Sequence, residues 1–242
     1  MLVFGGTGLV GRSVCRACVR DGLAVTSLSR GGGGSYASTG GDPREEWRAS
    51  VAWRAADALN PATYKAHIES CTGVIFGIGA LMEGPYKRWM GKERDGAAAQ
   101  SLGEVNRDSA LSAARALAES GRGRPFVFIS ASSVAPIMSE WSPAYLETKR
   151  EAEVLLQERA DAGDIRLTVL RPGLIFSERE PLTLGAAALF QAFTPETVEL
   201  EPPLHVETVA RAALHASLDE ETSGVLDVAA IRALAARSAA SC

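Results

Sequence analysis

The sequence predicts an α/β fold, a doubly wound parallel sheet of the Rossmann type with a small C-terminal substrate or cap region. Three observations predict it. Short apolar runs alternate with helical patterns from the first residue onward, as strand–helix–strand units require. The first run, Met1–Phe4, breaks into Gly5-Gly6-Thr7-Gly8-Leu9-Val10-Gly11 and then into a helix whose Val10, Val14, Ala17 and Cys18 share one face. The fourth run, Gly73–Phe76, is wholly apolar, as in a strand buried on both faces.

The glycine turn carries the first functional expectation. Gly6, Gly8 and Gly11 fit G-x-G-x-x-G, and Gly5, Gly8 and Gly11 fit G-x-x-G-x-x-G. The first glycines permit a tight turn, Gly8 clears the backbone for a pyrophosphate, and Gly11 lets the helix press on the strand. The helix N-terminus offers free N–H groups and a partial positive charge to phosphates. Because a strand precedes the turn and a helix follows it, Gly5, Gly6, Thr7, Gly8, Leu9, Val10 and Gly11 read as a dinucleotide-binding segment.

Length and charge bound the rest. A chain of 242 residues with 46% hydrophobic content can bury the core of one full α/β domain. Residues 1–176 read as the dinucleotide-binding domain, and 177–242 as a small cap segment plus elements that complete the same domain. A net charge of −4 gives no reason to expect nucleic acid as a partner. No run of about 18 apolar residues predicts a transmembrane helix. The chain opens on a core strand with no room for a targeting peptide, and the shortness of that strand suggests that further residues precede it. Cys15-x-x-Cys18 lies inside the first helix, not at its N-terminus, and has no second ligand pair. It therefore reads as packing, with no metal site expected.

Along the chain, Asp21-Gly22 turns into a second strand, Leu23–Leu28, which ends at Ser29-Arg30. Arg30 stands 19 residues after Gly11, where a carboxylate would select NAD and an arginine accommodates the 2′-phosphate of NADP. NADP is therefore expected, with NAD as the alternative if Arg30 is a solvated charge stacking on adenine. Gly31–Gly41 is an exposed loop, Asp42–Ser50 a short helix, and Val51–Ala55 a third strand. Asp57, just past it, either faces the adenine or caps the helix around Pro61–Ile68. Gly77-Ile78-Gly79 follows the fourth strand, and Gly77 would let the middle of a dinucleotide pass.

Leu81–Gly103 lacks periodicity, and its Tyr86, Trp89 and Met90 either line a pocket or cover the core. Glu104–Ser120 reads as a helix with Val105, Ala110, Leu111, Ala114 and Leu117 on one face. Phe126–Ile129 is a fifth strand, Tyr145–Arg159 a strongly amphipathic helix, and Ile165–Leu170 a sixth strand. Pro202–Val206 opens a helix through Ser217, Val225–Val228 is a last strand, and Ala229–Ser238 a closing helix. Leu182–Phe193 is an apolar stretch that either covers a hydrophobic substrate or membrane surface, or packs on the core. His205 and His215 read as structural.

The catalytic expectation rests on Tyr145 and Lys149, four apart and so on one helix face. A phenol with an ordinary pKa near 10 is a poor acid–base group at neutral pH. A nearby lysine cation would stabilise its phenolate, and the same lysine could hold a cofactor ribose. Ser132, thirteen positions earlier at the end of the fifth strand, would orient a substrate oxygen.

These residues carry a resemblance. The chain resembles the extended or atypical short-chain dehydrogenases/reductases, of the NAD-dependent epimerase/dehydratase kind. The matching stretches are GGTGLVG, YLETKREAE, LRPGLIF and PPLHVETVARAAL followed by GVLDV. It is similar in particular to the mitochondrial NAD(P)-binding proteins tied to coenzyme Q biosynthesis in fungi and their plant counterparts, through SLSR, GIGALMEG and the KREAE helix. More distantly it is similar to the accessory NADPH-binding subunit of respiratory complex I. The resemblance implies an oxidoreductase, with Gly5, Gly8 and Gly11 in the phosphate loop, Arg30 as cofactor selector, Tyr145 and Lys149 as catalytic pair, and Asn106 in the helix before the fifth strand. At the serine it leaves two positions open: alignment through Val134 puts Ala131 there, and spacing to Tyr145 favours Ser132. It implies a mitochondrial setting, with chloroplast or cytoplasm as alternatives. The implied role is either an NADP-dependent enzyme acting on a hydrophobic, quinone- or isoprenoid-related substrate, or a non-catalytic NADP-binding assembly factor of a mitochondrial membrane complex.

Overall fold

The computed structural model describes residues 1–34, 43–80, 100–132, 143–181, 183–185, 187–188 and 201–240. Its centre is a seven-stranded sheet of β1 (Leu2–Phe4), β2 (Val25–Ser29), β3 (Val51–Ala55), β4 (Val74–Phe76), β5 (Arg124–Ile129), β6 (Ile165–Leu170) and β9 (Gly224–Leu226), in the order β3-β2-β1-β4-β5-β6-β9. Every neighbouring pair is parallel. The chain runs outward from β1 to β3, then returns to lay β4 against the other side of β1, pairing Leu2 with Val74 and Phe4 with Phe76. That reversal opens a crevice at the carboxyl ends of β1 and β4, the place where open α/β sheets bind ligands.

Alternation along the strands fills both faces of the sheet. Leu2, Phe4, Phe76, Phe126 and Phe128 face one way, with Tyr64 and with Ala114, Leu117, Ala152 and Leu156 of the covering helices. These helices are α2 (Lys65–Ser70), α3 (Ser109–Ser120) and α4 (Pro143–Asp161). The Phe4 ring meets Tyr64 edge-on at 5.1 Å and Phe76 at 5.3 Å, geometries that add to simple burial. Val3, Ile75, Val127 and Ile129 face the other way, against α1 (Leu9–Arg20), α5 (Val206–Leu218) and α6 (Val228–Ala240). Cys15 and Cys18 are wholly buried in this second layer, as packing residues. Burial drives both thiols upward in pKa, Cys18 to about 11, which removes thiolate chemistry near neutrality.

Several elements differ from expectation for local reasons. β2 begins at Val25, not Leu23, because the Leu23 amide donates to Cys18 O (2.9 Å) and Gly22, at φ 71°, donates to Val19 O (3.1 Å). This is a paired C-terminal cap of α1, and it claims Leu23 before the strand can. The cap of the Pro61–Thr63 turn is Asn60, whose Oδ1 accepts from the Ala62 amide at 3.2 Å. Asp57 instead closes its own turn by accepting from the Leu59 amide (3.1 Å), so the capping role offered for Asp57 is corrected.

The helix expected over Glu104–Ser120 starts with a π turn, Glu104–Asp108, before α3. The wider turn shifts the buried face, so Asn106 is enclosed where Val105 was expected. α4 is less cleanly amphipathic than predicted: its buried face includes Lys149 and Glu153, and Val154 is 61% exposed. A small parallel pair, β7 (Ile175–Phe176) with β8 (Leu204–His205), was not anticipated, since two residues show no period. The loop expected at 31–41, the aromatics Tyr86, Trp89 and Met90, and most of the apolar stretch 182–193 lie wholly or largely outside the described residues.

Candidate active site

The glycine turn fills the crevice at the end of β1. The Gly5 amide donates to Leu28 O at 2.8 Å, and Gly5 sits at φ 82°, in the left-handed region that L side chains avoid. A Cβ on Gly6 would fall 2.1 Å from Ser27 Oγ, and one on Gly11 would fall 2.2 Å from Gly5 O. Gly8 differs: its exposed Cα would place a Cβ near only Gly5 O, at 3.3 Å. Gly6 and Gly11 are therefore glycines because protein crowds them, whereas Gly8 leaves open space.

Gly8 also caps α1 without a side-chain hydrogen bond, and no acidic residue occupies the first turn. The first-turn amides thus face that space with no carboxylate from their own turn, the environment a phosphate group fits. Thr7 and Leu9 are half-buried, and Val10 packs into the second core layer. Gly77 donates to Phe4 O (2.9 Å) and lies against Gly5 on the β4 side of the crevice.

Lys149 ties this crevice to the fifth strand. Its Nζ donates to Ile78 O (3.0 Å) and Ile129 O (2.9 Å) and lies 4.6 Å from the centre of the Phe128 ring. The side chain is 2% exposed, and burial pulls its pKa down to about 7, against a smaller upward pull from Glu153. Asn106 braces the same segment. Its Oδ1 accepts from the Ala80 amide (2.8 Å), and its Nδ2 donates to Ala80 O (3.0 Å) and Thr148 Oγ1 (3.2 Å). The π turn is what delivers Asn106 to that position, one loop residue from Gly79.

Tyr145 lies one turn before Lys149 on α4. Burial pushes its phenol up to about 12. The expectation that the lysine cation lowers the phenol pKa is not met in this arrangement, because Lys149 is committed to two carbonyls and is itself shifted toward neutrality. Ser132 is buried; its amide donates to Pro172 O (2.7 Å) and its hydroxyl donates to the Glu201 carboxylate. Ser130 is spent elsewhere, donating to Glu153.

Glu153 anchors a network that sequence reasoning passed over. It also accepts from Arg150 and Arg171, and Arg150 reaches Ala131 O at 2.8 Å. The ends of β5 and β6 are thereby fastened to α4, which sets the depth of Lys149. The available signal was the i,i+4 spacing of Lys149 and Glu153 on one face.

Comparison with known proteins agrees with this fold. Residues 1–195 match the model of the NAD dependent epimerase/dehydratase family. The chain belongs to that family. MIOREX complex component 2 of Saccharomyces cerevisiae is 28% identical over 209 residues, 74% of this chain and 73% of its own. An uncharacterised chloroplastic protein of Arabidopsis thaliana is 24% identical over 256 residues, 98% of this chain and 77% of its own. Among solved structures, the UDP-glucuronic acid 4-epimerase of Bacillus cereus in complex with NAD shares the fold, with a TM-score of 0.66 and 16% identity over 94% of this chain and 76% of that one.

A short-chain type dehydrogenase/reductase from Mycobacterium ulcerans also shares the fold, with a TM-score of 0.63 and 20% identity over 95% of this chain and 88% of that one. Arg30 is exposed just past β2, and its guanidinium reaches the Gln100 side chain at 3.1 Å, leaving donors directed to solvent. Asp57 is half-buried past β3, its carboxylate held in the Asx turn described above. No helix among the described residues is long and apolar enough to cross a membrane.

Proposed function

We propose that the protein is an NADP-dependent oxidoreductase acting on the carbonyl of a hydrophobic, quinone- or isoprenoid-related substrate in an organelle. The observation that carries this reading is Lys149, enclosed between Ile78 O and Ile129 O one helical turn from Tyr145 and next to the loop that faces the glycine turn. A buried lysine at that point serves no packing need that an apolar residue would not meet at lower cost.

Gly5, Gly8 and Gly11 would admit the pyrophosphate at the start of α1, with Gly6, Thr7, Leu9 and Val10 completing the turn. Gly77 would border the middle of the dinucleotide and Asp57 its adenine. Arg30 favours NADP over NAD because a guanidinium can engage a 2′-phosphate. The bound nicotinamide supplies or accepts the hydride. Tyr145 holds the proton that passes to or from the substrate oxygen, and Lys149 fixes the Ile78 and Ile129 carbonyls one helical turn away. Ser132, whose hydroxyl donates to Glu201, can accept from the Tyr145 hydroxyl through a lone pair.

A second reading, a cofactor-binding assembly factor with little turnover, is favoured by two observations. The yeast relative is named as a component of a complex, and the Ser132 hydroxyl is already engaged. The compartment proposed is the mitochondrion, with the chloroplast suggested by the plant relative. Single-turnover NADPH oxidation against short-chain quinones and isoprenoid aldehydes tests the first reading. Tyr145→Phe is expected to slow turnover by about a hundredfold or more, the usual worth of a positioned acid. Unchanged turnover, or an unchanged phenotype when Tyr145→Phe replaces the wild-type gene, would favour the assembly role.

A further inference from the structure

We infer that the C-terminal half of α1 carries a binding site for a phosphate monoester, separate from the dinucleotide crevice. A cavity of about 330 Å³ lies there, lined by Arg16, Arg20, Arg44, Trp47 and Arg179. Arg16 and Arg20 are one turn apart on α1, Arg44 and Trp47 come from the 3₁₀ turn Pro43–Ser50, and Arg179 follows β7. The volume is at the small end of ordinary ligand pockets, enough for a phosphate and a compact organic group.

The chemistry of the lining selects the ligand. Guanidinium groups and an indole N–H are donors only, so among the described lining residues no side chain accepts a hydrogen bond. A ligand that adds to the carboxylates already meeting Arg16 and Arg179 must itself bring acceptor oxygens and negative charge. A phosphate monoester brings three such oxygens and close to two charges, and guanidinium forks match its geometry. Trp47 Nε1 is buried and has no hydrogen-bond partner among the described residues, and Trp47 lines the same cavity. The Trp47 ring adds a flat apolar wall for the organic part of the ligand.

The arginines are held in place before any ligand arrives. Arg16, whose side chain is 16% exposed, pairs with Glu207, and Arg179 pairs with Glu45, which also holds Arg48 at 2.7 Å. Arg20 has no carboxylate within ion-pair reach among the described residues. Arg16 remains under strain of charge: burial lowers its pKa, and Arg20 and Arg179 push it further the same way. An incoming dianion relieves that repulsion. Neither Gly8 nor Arg30 lines the cavity, so the inference stands independently of the cofactor reading.

Calorimetric titration of the full chain with phenyl phosphate, with phenol as the uncharged control, tests the site. Phenyl phosphate is expected to bind with unit stoichiometry and phenol not at all. Arg20→Gln combined with Arg44→Gln, both exposed positions, should weaken binding about tenfold or more while leaving the unfolding transition in place. Trp47→Phe should weaken it severalfold, and Arg30→Ala should leave it unchanged. Flotation with phosphatidylcholine vesicles, with or without phosphatidic acid, separates the sources of such a phosphate. Capture that requires phosphatidic acid and is lost in the double variant assigns the site to a lipid headgroup, and binding of phenyl phosphate without capture assigns it to a soluble ester. Absence of both, binding undiminished in the double variant, or binding abolished by Arg30→Ala overturns the inference.

Discussion

An ammonium enclosed by two carbonyls and a phenyl ring destabilises the fold as long as it is charged, and Lys149 is in that position. Its pKa is about 7 in the folded chain against 10.5 for a free lysine. Below about pH 7 both states carry the proton. Between about pH 7 and 10.5 the unfolded chain binds more protons than the folded one, so this residue makes stability rise with pH across that window. Denaturant unfolding of wild type and Lys149→Met at several pH values reads the effect directly. The wild type should gain stability relative to the variant from about pH 7 to 10, and parallel curves would show that the ammonium is not buried as described. Tyr145 acts in the opposite sense at higher pH: its folded pKa of about 12 lies above 10.0, so stability falls as pH rises through that interval. The sequence offered Tyr145 and Lys149 through their spacing, their place after the fifth strand and the family resemblance. It gave no sign that Ser132 would meet Glu201, 69 positions away, because that contact exists only once β5 and the segment before β8 lie side by side.

At the scale of the element, the turn between β1 and α1 separates two uses of glycine that look alike in sequence. Gly11→Ala places a methyl 2.2 Å from the Gly5 carbonyl. Helix propensity would gain about 1 kcal/mol from alanine, but overpacking against backbone typically costs about 1–3 kcal/mol and forces the turn open. A lower melting temperature together with loss of dinucleotide binding is therefore expected. Gly8→Ala meets only Gly5 O at 3.3 Å, and its backbone at φ −81° suits alanine. Its unfolding free energy should stay within about 1 kcal/mol of wild type, while dinucleotide affinity falls because the methyl enters the open space. Equal effects of the two substitutions on binding and melting would refute the assignment of that space to a ligand. The π turn at Glu104–Asp108 shows where periodicity misleads. The apolar spacing of Val105, Ala110 and Ala114 suits one continuous helix, and the reciprocal hydrogen bonds between Asn106 and the Ala80 backbone prevail over it, rotating the amide inward.

For the whole molecule, strand–helix alternation and the apolar character of β4 were enough to read the parallel sheet. The switch point between β1 and β4 then follows from the glycine turn being first in the chain. β3 and β6 match their sequence-read bounds. The β7–β8 pair, the Glu153 network and the arginine-lined cavity were not legible, since each joins residues that no local pattern connects. What unites the proposed function is the crevice at the end of β1, proposed above to hold a dinucleotide, together with Arg30 just past β2. A dinucleotide that binds only the folded chain raises its stability by about 2.7 kcal/mol at a hundred times its Kd, so calorimetric titration and melting report the same event. The most direct test is the affinity of wild type and Arg30→Ala for NADPH and for NADH, measured side by side. The account predicts that wild type binds NADPH about tenfold or more tightly than NADH, the worth of one charge-assisted contact, and that Arg30→Ala abolishes the preference by weakening NADPH alone. Equal affinities in wild type, or an equal loss for both dinucleotides in the variant, would contradict it.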